Sequence, residues 1–271
     1  FFLMAVMPVM AALRALVCAL LLCSSVQCII LPKQTLAAAS PVEVISLHEA
    51  MCPDCVAQDW ALYGAKKELG AILNMTTLWW GNARLMPGGK IICQHGPVEC
   101  EANAFLNCVE NQYPAQHDEF VHCLDWSLIF GCPGGCPAPP PMTLYRNFSQ
   151  NCSTELSLDY DALQTCATGE NGHALVLAAA KATVPYHHTY VPWLVINGEH
   201  NPLAEKGPKA FISEVCKAYT DPASLPPVCT GSYTTTQTHT THKNVRAHTH
   251  THTAQRHGAS RTRYSAEISV Y

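Results

Sequence analysis

The chain has 271 residues, 48% of them hydrophobic, and a formal charge of −4. That is enough apolar material for one good-sized packed domain or two small ones. Beyond Thr230, Lys243, Arg246, Arg256, Arg261 and Arg263 face only Glu267, a surplus of +4 that leaves −8 on residues 1–230 and excludes a basic nucleic-acid-binding core.

Fifteen cysteines are scattered along the chain instead of clustering as finger-like repeats, a usage that fits an oxidising compartment. Arg14 stands before the apolar run Ala15–Leu22, which small and polar residues follow, so residues 1–39 are expected to be a secretory signal peptide with a short leader. The apolar run is well short of the roughly 20 residues a bilayer span needs, and no stable membrane insertion is expected. Asn74, Asn147 and Asn151 each open an N-x-[ST] glycan acceptor, which points the same way.

After the leader, the compact β-branched run Val42–Leu47 reads as a buried strand, and "CPDC" follows at residues 52–55. Val56, Trp60, Tyr63, Leu69 and Ile72 then recur at close to helical spacing, and "NMTTLWWGNARL" suggests a second strand, so the start reads βαβ. Gly96-Pro97 sets a helix start with Glu99 and Glu101 in its first turn and an apolar stripe of Val98, Ala102, Phe105 and Val109. "HDEFVHCLDWSLIF" repeats the pattern, with Phe120, Cys123, Leu124, Ser127 and Leu128 on one face, before "GCPGGCPAPPP" breaks the chain. A helix pair is expected in "DYDALQTCATGENGHALVLAAAKAT", its first member ending at Gly169. "HTYVPWLVINGEH" reads as a strand with an Asn197-Gly198 hairpin turn, and "GPKAFISEVCKAY" as a closing helix. Residues 231–271 are rich in Thr, His and Arg and read as a disordered tail by composition; its histidines can gain charge below about pH 6.5 or bind metal weakly, and no function is assigned to them.

Cys52 and Cys55 admit three readings: half of a zinc site, a fixed bridge, or a redox pair. Zinc needs four ligands, usually in two close pairs, and the next cysteine is Cys93, so no metal site is assigned. A permanent bridge across so small a ring gains little unfolded-state entropy and is readily reduced. A helix N-terminus instead favours the thiolate of Cys52, with Cys55 one turn inside to resolve a mixed disulfide. Asp54 is expected to point at solvent. The strand, CxxC and helix, with Val191-Pro192 some 140 residues on, match the layout of the thioredoxin fold, in which a cis-proline faces the redox pair. Val191 and Pro192 are accordingly the expected substrate-binding positions.

Residues 93–108, "CQHGPVECEANAFLNC", carry Cys93, Gln94, His95, Gly96, Glu99 and Cys100, followed by Asn103 and Cys108. This segment resembles the signature of the gamma-interferon-inducible lysosomal thiol reductase family. "LNMTTLWWGNA", "YVPWLVING" and "VCKAY" with Cys229 resemble the same family in the same order, so the likeness spans roughly residues 41–229. The resemblance implies an α/β, thioredoxin-like domain over residues 40–230 with a cysteine-rich helical insertion at about 93–184. It also implies a soluble glycosylated enzyme that reduces protein disulfides in acidic endosomes and lysosomes, or outside the cell, with Cys52 and Cys55 as its redox pair. The partners expected are disulfide-containing proteins and not nucleic acid; no cofactor is expected beyond the redox disulfide itself, with an external small thiol as reductant. Gln94, His95 and Glu99 are expected to fix the loop ahead of the Pro97 helix.

An unperturbed thiol with pKa near 8.5 is only ~0.03% ionised at about pH 5, and raising that to half takes a shift of about 3.5 units. Strong acidification of Cys52 is therefore expected. Removing the CxxC and the leader cysteines leaves ten, an even number; Cys132 with Cys136 and Cys216 with Cys229 are plausible local bridges, and the connectivity of the rest is open. Two rival functions stay open: a disulfide oxidase or isomerase of the secretory pathway, and a secreted binding module whose CxxC is inert. An exposed Cys52 facing Pro192 favours catalysis, whereas both sulfurs packed in the core favour the staple.

Overall fold

A computed structural model describes residues 39–231. Nearly all of the leader (1–39) and of the Thr/His/Arg-rich tail (231–271) lies outside the described residues. The first strand, β1 (Val42–His48), runs parallel to β2 (Leu73–Trp79) in a register from Val42 opposite Leu73 to His48 opposite Trp79. A parallel pair needs a crossover, and α1 (Pro53–Leu69) supplies it. Pro53 stands in the first helical turn, where its missing N–H costs nothing, and Gly70, at φ +53, ends the helix.

β5 (Trp193–Ile196) lies antiparallel on the other edge of β1, with Leu47 opposite Trp193, and turns through Asn197 (φ +49) and Gly198 (φ +88) into β6 (Glu199–His200). This is the Asn-Gly hairpin that the pattern predicts. The sheet order is β2-β1-β5-β6, and the Val191–Pro192 peptide ahead of β5 is cis. The fold is thioredoxin-like. Leu62, Ala65 and Leu69 of α1 and Phe211 and Val215 of α7 (Pro208–Ala218) bury one face of this sheet against Val42, Val44, Leu194 and Ile196. A short α8 (Pro227–Thr230) closes the described chain.

Five helices stand between the small hairpin of β3 (Arg84–Leu85) and β4 (Ile91–Ile92) and the start of β5: α2 (Pro97–Gln112), α3 (His117–Phe130), α4 (Met142–Glu155), α5 (Tyr160–Thr168) and α6 (Glu170–Thr183). Val98, Ala102, Phe105 and Val109 of α2 are all buried, as their spacing requires. They pack with Phe120, Leu124 and Leu128 of α3, Tyr145 of α4 and Leu163 of α5. Each side chain of that size contributes about 1.5–3 kcal/mol by leaving water. Gly169 separates α5 from α6 as expected.

Three local features differ from the pattern or lie outside it. Trp60 and Tyr63 do not face the sheet core; they stack on His122 of α3 with ring centroids 4.4 and 3.7 Å away, while Leu62 and Ala65 take the buried positions. Helix α1 is covered on two sides, by the sheet and by α3, so a single apolar stripe does not describe it. Cys123 and Ser127 of α3 are only half-buried. Helix α4 is not foreseen by the pattern, although Tyr145, Phe148 and Cys152 sit at helical spacing on its buried face.

Disulfides join Cys93–Cys100, Cys108–Cys166, Cys123–Cys152, Cys132–Cys136 and Cys216–Cys229. The two local bridges proposed from spacing are both present. Asn74 is exposed on β2, where its amide donates to Glu43, and Asn147 and Asn151 are exposed on α4. Among the described residues no helix is long and apolar enough to cross a membrane.

Candidate active site around Cys52 and Cys55

Among the described residues Cys52 and Cys55 are the free cysteines. Cys52 is the N-cap of α1, so the unpaired N–H groups of the first turn converge on its sulfur. Its pKa falls from 9.0 to about 7, first because the Cys55 thiol donates a hydrogen bond to it, against the opposing effect of burial, and then because the main-chain N–H groups of Cys55 and Asp54 point at it. Cys55, one turn inside, is held well above the ordinary thiol range by its burial and by the Cys52 sulfur. The pair is therefore polarised: one sulfur is poised to ionise and the other to stay protonated. Asp54 faces solvent, as expected.

The acidification is smaller than an acid-working thiol was expected to need. The helix terminus and the Cys55 thiol act against desolvation, and the balance stops near 7. The exposure of Cys52 also differs from expectation, since it retains 8% and Cys55 1%, packed with Leu47, Val191, Trp193 and Val195. Burial by itself thus leans toward a staple. Position leans the other way, because Cys52 Sγ lies 3.9 Å from the main-chain oxygen of Val191, directly before half-buried Pro192.

The residues of the 93–108 segment are brought together at the other side of Cys52. The Cys93–Cys100 bridge closes the loop ahead of α2, and Gly96 at φ +86 is its N-cap, a conformation that L side chains rarely adopt. Gln94 Oε1 accepts from Asn82 Nδ2 at 2.7 Å. Glu99 Oε2 takes the His95 main-chain N–H at 2.6 Å and lies 2.7 Å from His95 Nδ1. Asn103 Oδ1 accepts the Ala50 N–H at 2.8 Å, which ties α2 to the loop carrying the thiols, and Cys108 anchors α2 to α5 through Cys166. These contacts fit the loop-fixing role expected for Gln94, His95 and Glu99.

Glu49 is the residue that sequence patterns missed. It opens the turn after β1; its main-chain oxygen accepts the Cys52 N–H at 3.4 Å, and its side chain is fully buried. Gly81 makes room for it, since a Cβ there would overlap the Glu49 side chain, and the Asn82 N–H donates to Oε2 at 2.7 Å. Glu49 Oε1 lies 3.5 Å from His95 Nδ1. Burial pushes the Glu49 carboxyl up to about 7, opposed by the Asn82 N–H and reinforced by the charges of Glu99 and Cys52. The hydrogen bond to Glu99 raises His95. The one available signal was position, a carboxylate three residues before the first cysteine at the end of a buried strand. A second buried polar pair also escaped notice: His48 Nε2 lies 3.3 Å from Asp59 Oδ1, with Ser46 Oγ 2.7 Å from His48 Nδ1.

The family model described as gamma interferon inducible lysosomal thiol reductase matches residues 42–128. A gamma-interferon-inducible lysosomal thiol reductase from Carassius auratus is 29% identical over 191 residues, covering 67% of this chain and 70% of that protein. A gamma-interferon-responsive lysosomal thiol protein from Arabidopsis thaliana is 26% identical over 193 residues, covering 68% and 74%. Among solved structures, oxidised BdbD from Bacillus subtilis superposes with a TM-score of 0.50 at 12% identity, over 67% of this chain and 89% of that one, a likeness of fold.

Proposed function

We propose that this chain is a thiol-disulfide oxidoreductase of the gamma-interferon-inducible lysosomal thiol reductase family and that it reduces disulfide bonds of protein substrates in an acidic lumen, endosomal or lysosomal, or outside the cell. The reading rests on one observation above the others: a thiol at the N-terminus of α1 faces the Val191 carbonyl beside Pro192.

The Cys52 thiolate attacks one sulfur of a substrate disulfide. A Cys52–substrate bond forms, the substrate S–S bond breaks, and the departing sulfur takes a proton. Cys55 then gives up its proton and attacks the Cys52 sulfur, releasing the second substrate thiol and leaving a Cys52–Cys55 disulfide. Two electrons have passed to the substrate, and an external small thiol returns the pair to the reduced state. Val191 offers its main chain to an extended substrate segment next to Cys52. Acidic operation gains from the lowered Cys52 pKa: at about pH 5 a thiol of pKa 7 is ~1% ionised, roughly thirty times the fraction of an ordinary thiol.

The test is reduction of insulin disulfides at about pH 4.5 and pH 7 by the wild-type chain, Cys52→Ser and Cys55→Ser. Loss of turnover in both variants, with the wild type active at the acidic pH, supports the proposal. Equal activity in all three proteins ends it.

A further inference from the structure

The carboxylates of Glu49 and Glu99 and the imidazole of His95 converge beside the thiol pair, with one ligand atom from each lying within 4.8 Å of the others. Both carboxylate side chains are fully buried, while His95 keeps 22% exposure and leads out to solvent. Ligands about 2.0–2.1 Å from a tetrahedral ion stand roughly 3.3 Å apart; His95 Nδ1 stands 3.5 Å from Glu49 Oε1, near that spacing, and its 2.7 Å hydrogen bond to Glu99 Oε2 is the contact an ion would replace.

A second observation points to a ligand. Glu49 Oε1, aimed at His95 Nδ1, has no hydrogen-bond partner, and neither has Glu99 Oε1, although both are buried. Buried carboxylate oxygens are ordinarily satisfied, and two left open in one cluster call for an explanation. The other oxygens hold the carboxylates in place, since Glu49 Oε2 accepts the Asn82 N–H and Glu99 Oε2 the His95 N–H. Such outer contacts orient metal ligands. Charge closes as well, because a divalent cation neutralises two carboxylates beside a neutral imidazole.

We propose that Glu49, His95 and Glu99 form a binding site for a divalent cation, of which Zn2+ is the best match to one imidazole nitrogen and two carboxylate oxygens at this spacing. Three protein ligands leave a fourth position for water, so the site is of the open type. It lies close enough to Cys52 for the charge of that sulfur to act on Glu49 and His95, and none of the cysteines supplies a ligand.

The test uses the full chain with Cys52 and Cys55 oxidised to their disulfide, which removes thiol ligation and makes the result independent of reductase activity. Metal-stripped protein at neutral pH is titrated with Co2+ and then Zn2+. One equivalent of Co2+ with the visible absorption of a tetrahedral site, displaced by Zn2+ and weakened about tenfold or more in Glu49→Gln and in Glu99→Gln, supports the site. The same spectrum and affinity in both variants overturns it, because the cation then sits elsewhere, as on the tail histidines. X-ray absorption on the zinc-loaded wild-type chain guards against variants that fail to fold: one imidazole with oxygen neighbours supports the assignment, and a shell of several imidazoles overturns it.

Discussion

Cys52 Sγ and the main-chain oxygen of Val191 lie 3.9 Å apart across 139 residues of sequence. The antiparallel pairing of β1 with β5 accounts for this. Leu47 stands opposite Trp193, so the loop that leaves β1 and the residues that enter β5 meet at the same end of the sheet. The five helices between β4 and β5 are excursions from that end, and their packing leaves the meeting point intact. A substrate strand lying along Val191 would present its sulfur to the N-terminus of α1.

The first prediction concerns pH. A depressed pKa means that the folded protein favours the thiolate, so Cys52 should react with iodoacetamide at a rate that rises through about pH 7, not through 9.0. Below the midpoint the rate should fall tenfold per pH unit. Cys55, held high by burial, should stay unreactive across the same range. Mass-spectrometric counting of alkylated Cys52 against pH checks both; a Cys52 midpoint near 9 would remove the polarised pair.

The hydrogen bond from Cys55 is the largest contribution to the acidity of Cys52, which separates two substitutions that otherwise look alike. Cys55→Ala removes the donor and should move the Cys52 midpoint up toward the ordinary thiol value. Cys55→Ser keeps an O–H donor and should hold most of the depression. Cys55→Ser should also accumulate a mixed disulfide with substrate, visible as a covalent adduct on non-reducing gels, because no resolving sulfur remains. Equal Cys52 midpoints in the two variants would mean that the Cys55 side chain does not set the acidity.

Much of the sheet and the CxxC position were legible because they rest on local rules. Val42–Leu47 is apolar and β-branched enough to mark a strand whose later residues, from Ser46 on, are buried on both faces, Pro53 and Pro97 mark helix starts, and Asn197-Gly198 dictates a tight turn. The cluster around Glu49 obeys no such rule. Gly81, Asn82, His95 and Glu99 reach it from two other segments, and nothing in the local pattern of "EAMCPDC" tells that a carboxylate there is buried. The orientation of Trp60 and Tyr63 was hidden for a related reason. Helical spacing identifies the apolar positions of α1, but which of them meets the sheet and which meets His122 depends on where α3 packs.

Disulfide removal should separate the bridges by loop length. Cys108–Cys166 spans 58 residues and Cys132–Cys136 spans 4. Chain-entropy reasoning assigns about 4 kcal/mol to the longer loop and about 2 kcal/mol to the shorter. Urea denaturation of the two double Cys→Ala variants, with the other bridges intact, should therefore show the larger loss for Cys108/Cys166. The reverse order would place the stabilisation in the native packing around each bridge.

Phe105 offers the sharpest test of how the helices hold together. Its ring is fully buried on α2 and meets Phe120 of α3 at 5.6 Å, Tyr145 of α4 at 6.4 Å edge-on, and Tyr160 of α5 at 5.9 Å between ring centroids. Phe105→Ala leaves a cavity bounded by three helices, whose disulfides, Cys108–Cys166 between α2 and α5 and Cys123–Cys152 between α3 and α4, limit how far they can collapse into it. The expected cost is about 3–5 kcal/mol, at the level of other buried Phe→Ala changes. Because α2 also carries His95's partner Glu99 and the Asn103 clamp on Ala50, loosening it should be felt at the thiols as well. The Cys52 alkylation rate in folded Phe105→Ala protein should change together with stability, whereas Leu163→Ala, a cavity on α5 away from that clamp, should lower stability and leave the rate alone.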